Sequence, residues 1–402
     1  MKSLIPLSEE CSIHRVQESL RQLDENAYTP RVVSIGPIHH GKQQLKAMED
    51  YKLRYLQRFL LRTDVHLEEF IKFIGQNETK VRNCYAENIE FNSDDFEKMI
   101  LMDAAFIFEV LLRHMEKGEF VYDRLYGNPL KKFDIKDDLY MLENQLPFFI
   151  LADLFRQANI SNNEENLSIL NITHSFTKTY WDYLGIEESF DETKYLNVKH
   201  LVDFLRISIV PSEPQRRVKP EILTTPSVTK LYQAGVKFKL GSSKNLFDIK
   251  FHNGILEIPR ITTRSTMEYA VKNILAFEKN QGRIENFLND YVIFINYLAN
   301  SPKDAEILVQ HGIIHNPIGD SERLSTLFHS LVERATLSPD YFHFSSLVEE
   351  LNGYCRRPWN KWKATLKQDY FKTPWTTVSV IAASILLVLT LIQTICSILQ
   401  LK

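Results

Sequence analysis

Cysteine and glycine are both scarce in this chain, and each shortage excludes something. Four cysteines in 402 residues (Cys11, Cys84, Cys355, Cys396) stand far apart, without metal-ligand spacing. No disulfide framework can be read from them, which fits a reducing compartment. Thirteen glycines fall well below the usual share of about 7%. Folds that cradle cofactors on glycine-rich loops need more, so the composition leans towards helix and away from dinucleotide binding. A formal net charge of −3 argues against a general nucleic-acid binder, which needs a surplus of Lys and Arg. Met1 to Pro6 lacks a long apolar run before Glu9 and Glu10, so no secretory signal peptide is expected.

Charge is missing altogether from Thr373 to Leu401, a stretch rich in Ile, Leu and Val. Residues 376–399 are predicted to form one transmembrane helix, because ~24 residues at about 1.5 Å each exceed a hydrocarbon core of about 30 Å. Ser379 and Ala383 form a small-xxx-small pair and Gln393 offers an intramembrane hydrogen bond, so self-association through this helix is expected. Just before it, Arg356, Arg357, Lys361, Lys363, Lys367 and Lys372 face a single Asp369, together with Trp359, Trp362 and Trp375. Basic residues near anionic headgroups and tryptophans at the interface predict a lipid-contacting collar over 356–375. The charge asymmetry predicts a single-pass, tail-anchored protein with residues 1–355 in the cytosol, and the plasma membrane is the expected membrane. Four glycosylation sequons, at Asn77, Asn159, Asn166 and Asn171, point the other way.

Residues 1–355 read as a mainly α domain of the α+β class, either one body or two lobes joined around 206–226. Helical spacing of apolar residues predicts helices over 43–61, 96–115 and 134–155, the last kinked or restarted at Pro147. Val32 to Ile35 reads as a short extended run. Alternation around Phe238, Ile249 and Ile255, with a hairpin signal at Asn253-Gly254, predicts a small antiparallel β-meander. Ser301-Pro302 reads as a helix start and Gly312 as a helix stop.

Several residues invite a chemical reading. Gly36-Pro37-Ile38-His39-His40-Gly41-Lys42 fits the G-x-x-x-x-G-K pattern of a phosphate loop. Gln43 stands where the magnesium-binding Ser or Thr belongs, and Pro37 removes a backbone donor. Lys42 is therefore expected to be structural, with a degenerate nucleotide site as the alternative. His39 and His40 are adjacent and point apart, so they are expected to satisfy local groups rather than bind metal. Asp103 and Glu143 fall on apolar helix stripes, where a carboxylate is costly unless paired. They are expected to be structural buried carboxylates with Arg or backbone partners. No catalytic constellation and no cofactor site is expected.

Whole phrases of the chain resemble the plant family catalogued as domain of unknown function 247. They are residues 27–41, Leu142 to Phe149, Ala234 to Phe238, Leu256 to Pro259, Leu275 to Glu278 and Trp359 to Ala364. The resemblance implies a plant membrane protein without established enzymatic activity or agreed catalytic residues. The expected function is a non-enzymatic interaction, recognition or signalling module with an unknown protein partner. A cell-surface recognition component, like those of grass self-incompatibility, is a further alternative that the resemblance implies.

Overall fold

The computed structural model describes residues 8, 10–116, 125, 128–160, 167–182, 190–210, 222, 224–263, 265–281, 286–316, 320–335, 341–357 and 374–400. The N-terminal half is helical: α1 (Glu18–Arg21), α2 (Glu49–Leu60), α3 (Leu67–Asn83), α4 (Ser93–Met115), α5 (Pro129–Leu139), α6 (Phe148–Ala158), α7 (Ile169–Asp182) and α8 (Leu201–Ile207). The C-terminal half adds α9 (Val228–Gln233), β1 (Lys237–Leu240), β2 (Lys250–His252), β3 (Ile255–Ile258), β4 (Ile261–Thr262), α10 (Ser265–Gln281) and α11 (Phe287–Leu298). After these come α12 (Pro302–Gln310), β5 (Ile314–His315), α13 (Ser321–Val332), α14 (Ser345–Arg356) and α15 (Pro374–Gln400).

The central element is α4. Asn92 caps it, accepting from the Asp95 N–H at 2.9 Å. The buried surface of α4 runs nearly all the way round: Phe96, Met99, Leu101, Ala104, Phe106, Phe108, Val110 and Leu112 are all buried. A helix apolar on nearly every side belongs in the middle of a domain. Tyr55 of α2 stacks on Phe106 at 5.2 Å, and Phe59 and Phe155 close on Phe108. One hydrophobic cluster runs from Ile13 to Leu351.

Three expected elements need correction. The helix expected over 43–61 begins as a 3-10 turn over Gln43–Met48 and becomes α-helical only at Glu49. The helix expected over 134–155 does restart at Pro147, the residue before α6, but the break opens earlier than Pro147 requires. The chain leaves α5 at Leu139 and re-enters helix at Phe148, because Glu143, Asn144 and Gln145 make tertiary hydrogen bonds. The small sheet is mixed rather than an antiparallel meander. β3 lies between β1 and β2, parallel to β1 (Phe238 opposite Leu256) and antiparallel to β2 (Phe251 opposite Leu256). The Asn253-Gly254 turn joins β2 and β3 with φ of 51° and 76°, the left-handed pair of a tight hairpin. A second, parallel pair, β4 with β5, brings Ile261 beside Ile314.

The C-terminal expectation is corrected too. Among the described residues no helix is long and apolar enough to cross a membrane, so the transmembrane helix at 376–399, with the single-pass and tail-anchored reading, is not supported. The helix α15 is present, but its side chains are described without a break only over 381–397. Of the basic collar, Arg356 and Arg357 end α14 and are exposed. Trp359, Lys361, Trp362, Lys363, Lys367, Lys372 and the side chain of Trp375 lie outside the described residues, as does most of 211–223.

Candidate functional site

The N-terminal segment meets the loop between α5 and α6 along a buried polar seam, and most of the residues singled out above converge there. Val32 to Ile35 is extended yet pairs with no strand. Its backbone donors are taken by side chains: Asp138 accepts from the N–H groups of Arg31, Val32 and Val33 at 3.0, 2.7 and 2.9 Å. Asn144 accepts from the Ile35 N–H at 2.6 Å and donates to the Val33 carbonyl at 3.0 Å. Buried backbone groups need partners, and carboxylate and amide side chains replace a sheet ladder here.

Asp103 continues the seam one residue further. Its Oδ2 accepts from the Gly36 N–H at 2.8 Å, and its Oδ1 meets Lys52 Nζ at 2.6 Å. Lys52 also reaches Glu49 Oε1 at 2.8 Å and the Ser34 hydroxyl at 3.2 Å. Both Asp103 and Lys52 are buried. Burial opposes the Lys52 charge, but Asp103 and Glu49 outweigh it and hold the ammonium above its ordinary pKa. Gly36 sits at φ 72°, and a Cβ there would lie 2.5 Å from the Gln145 carbonyl oxygen. Only glycine fits this crossing.

Glu143 forms the second hub. Its Oε1 accepts from the Val16 N–H at 2.8 Å and from Arg21 Nη1 at 2.6 Å, while Oε2 faces His39 Nε2 at 3.0 Å. Arg15 stands at 3.8 Å. Burial would push the Glu143 carboxyl upward, yet the His39 and Val16 contacts and the Arg21 charge outweigh it and hold its pKa low. Burial lowers the pKa of His39 despite Glu143, so a neutral imidazole faces a carboxylate. His40 turns away and packs edge-on against Phe91 at 5.5 Å. Lys42 is half-buried, and burial together with the charge of Arg21 lowers its pKa.

Against the phosphate-loop pattern, the geometry is specific. The Gly36 N–H already binds a carboxylate, and Pro37 has none to give. Among the described residues no group of three or more His, Cys, Asp or Glu side chains is placed to hold a metal ion.

Sequence reasoning missed Asp138, Asn144 and Asn273. Asn273 accepts from the Leu142 N–H at 2.8 Å and donates to the Ala27 carbonyl at 2.8 Å, tying α10 to both sides of the seam. The local signal was a polar residue on an otherwise apolar face, which is costly without a partner.

The two phrases that make up the seam, residues 27–41 and Leu142 to Phe149, are among those that carry the family likeness. A family model described as a plant protein of unknown function, DUF247, matches residues 13–389, and the chain belongs to that family. It is similar to the Arabidopsis thaliana UPF0481 protein At3g47200, 28% identical over 98% of this chain and 87% of that protein. It also resembles the putative UPF0481 protein At3g02645 of the same plant, 22% identical over 95% of this chain and 89% of that one. No solved structure matches.

Proposed function

We propose that the protein is a non-enzymatic interaction module: a rigid helical body that presents a contact surface to another macromolecule. The observation that carries this is α15. Every side chain described on it is exposed, and they include Ile385, Leu386, Leu387, Leu389, Leu391 and Ile392, each at least half exposed. A helix apolar on all sides persists in water only when something covers it, and large exposed apolar patches mark contact sites. The seam supports the same reading. Asp103, Lys52 and Glu143, the groups best suited to chemistry by charge and burial, are committed to partners within the protein: Asp103 to Lys52 and the Gly36 N–H, Lys52 also to Glu49, and Glu143 to Arg21, His39 and the Val16 N–H.

The test is crosslinking in native plant tissue of the full chain and of a variant with Leu387→Asn, Leu391→Asn and Ile395→Asn. A protein partner crosslinked to α15 and lost in the variant supports the reading. Recovery of the chain with α15 reactive throughout and uncovered would overturn it. The basic segment 356–375 belongs to the same proposal as a contact for anionic headgroups. Binding to phosphatidylserine vesicles, weakened by salt and by Arg356→Gln with Arg357→Gln, is its check.

A further inference from the structure

A pocket of about 390 Å³ opens where the N-terminal segment crosses the C-terminal half of the chain. Its wall includes Leu23 and Asp24, Thr263 after β4, Glu268 and Lys272 of α10, and Arg334 just beyond α13. None of these residues belongs to the seam. The volume lies in the range of small-molecule sites.

Its charges are sorted by depth. Lys272 is buried and neutralised, by Asp24 at 2.7 Å and Glu268 at 2.5 Å. Asp320 caps α13, accepting from the Glu322 and Arg323 N–H groups. Arg334 is different. It is 2% exposed, and among the described residues no carboxylate pairs with it. Its Nη1 donates to the Ser330 carbonyl and it lies beside the Tyr28 phenol, both neutral, while Nε has no partner. The Thr263 hydroxyl, 5% exposed, is likewise without a partner. A guanidinium stays protonated in proteins, and burying its charge is costly unless an anion answers it.

We propose that this pocket binds a small organic monoanion, a carboxylic acid with an apolar body. The carboxylate pairs with the Arg334 guanidinium, whose planar fork matches it, and accepts from the Thr263 hydroxyl. The body lies along Leu23, Leu324 and Leu327, which share the wall. One buried uncompensated cation calls for one negative charge. Asp24, Glu268 and Asp320 line the same pocket and repel a dianion such as a phosphate ester. Arg323, exposed beside them, adds attraction for a single anionic group. The proposal stands apart from the contact surface on α15.

The experiment uses the purified full chain, with benzoate, naphthoate and octanoate as probes in titration calorimetry and thermal shift. Naphthamide and inorganic phosphate serve as controls. At least one carboxylate is expected to bind saturably with one-to-one stoichiometry. The neutral amide should bind at least about tenfold more weakly, as loss of a charge-assisted hydrogen bond requires. Arg334→Gln should weaken the acid by a similar factor, and Thr263→Val by less. Should Arg334→Gln fail to fold, Leu327→Trp serves instead, since it narrows the pocket and leaves the cation in place. Binding lost in that variant, with the melting temperature kept, supports the site. Absence of saturable binding by all three acids at millimolar concentration would overturn the proposal. So would an amide as tight as its acid, displacement of naphthoate by phosphate, or affinity unchanged in a folded Arg334→Gln or Leu327→Trp variant.

Discussion

Arg21 and Glu143, 122 positions apart in the chain, meet at 2.6 Å where the carboxylate side chain has no exposure at all. The same carboxylate takes the Val16 N–H, so one side chain fastens α1 and the segment before it to the loop after α5. Removing one member of a buried ion pair strands the other in a medium that cannot solvate it.

Glu143→Ala should therefore destabilise the full chain by about 3–5 kcal/mol, the range for a broken buried pair. Denaturant unfolding with tryptophan fluorescence measures it. Arg21→Ala should cost less, because Arg21 keeps some solvent contact and Glu143 retains His39 and Val16. Equal losses in the two variants would show that Glu143 does not act as the hub.

The two left-handed glycines of the degenerate loop make a contrast. Gly36→Ala meets the Gln145 carbonyl, whereas a Cβ on Gly41, at φ 78°, meets nothing within 4 Å. Both substitutions pay about 1–2 kcal/mol for the left-handed backbone. Only Gly36→Ala adds about 1–3 kcal/mol for displacing a packed neighbour. Thermal unfolding of the pair gives the difference directly, and Gly41→Ala as damaging as Gly36→Ala would contradict the placement of the loop.

Lys42 is expected to be structural. ATP and GTP with Mg²⁺ should show no micromolar binding to the full chain by calorimetry. Micromolar affinity abolished by Lys42→Ala would establish a nucleotide site in spite of the Gly36 to Asp103 hydrogen bond.

Burial lowers the pKa of His200 to about 4 from 6.5. Its Nδ1 accepts from the Asp203 N–H at the start of α8, and its ring packs edge-on to Phe277 at 4.6 Å. The unfolded chain takes up this proton near pH 6.5 and the folded one only near pH 4. Between those values the unfolded state binds more protons, so the contribution is lost as pH falls from about 6.5 to about 4. A displacement of this size is worth roughly 3 kcal/mol. Asp137 and Asp138, raised to about 6 by burial, work in the opposite sense. The His200 part is thus read from the difference between wild type and His200→Asn, whose amide keeps the cap. The stability gap between the two should shift in favour of the variant on acidification by that amount. A gap independent of pH would refute a buried, neutral His200.

Local pattern carried the helices a long way. The periodic apolar residues of α2 and α4, the Asn253-Gly254 turn and the Ser301 cap all follow from neighbours within one turn of backbone. Ser301 accepts from the Asp304 N–H, and Gly312 has φ 69°. The restart at Pro147 could be read that way, but the end of α5 as early as Leu139 could not. Leu139, Leu142 and Leu146 keep helical spacing, but the intervening Glu143, Asn144 and Gln145 make better hydrogen bonds to distant backbone than a helix would allow them. Nor does any local rule say that β1 lies parallel to β3, since alternation fixes a strand's faces and not its partner.

The sequence by itself determined family, helical class and the residues that had to be explained: charges on apolar faces and glycines in a loop. Those follow from residue type and spacing alone. Only the tertiary structure decided what the charges do, because ion-pair geometry depends on which segments, more than a hundred positions apart, are brought within 3 Å. It also decided that Val32 to Ile35 is held by side chains instead of a strand, and that Arg334 is buried with no carboxylate paired to it among the described residues. Burial and the identity of a side chain's partners are properties of the packed chain, and they are invisible to a pattern read along it.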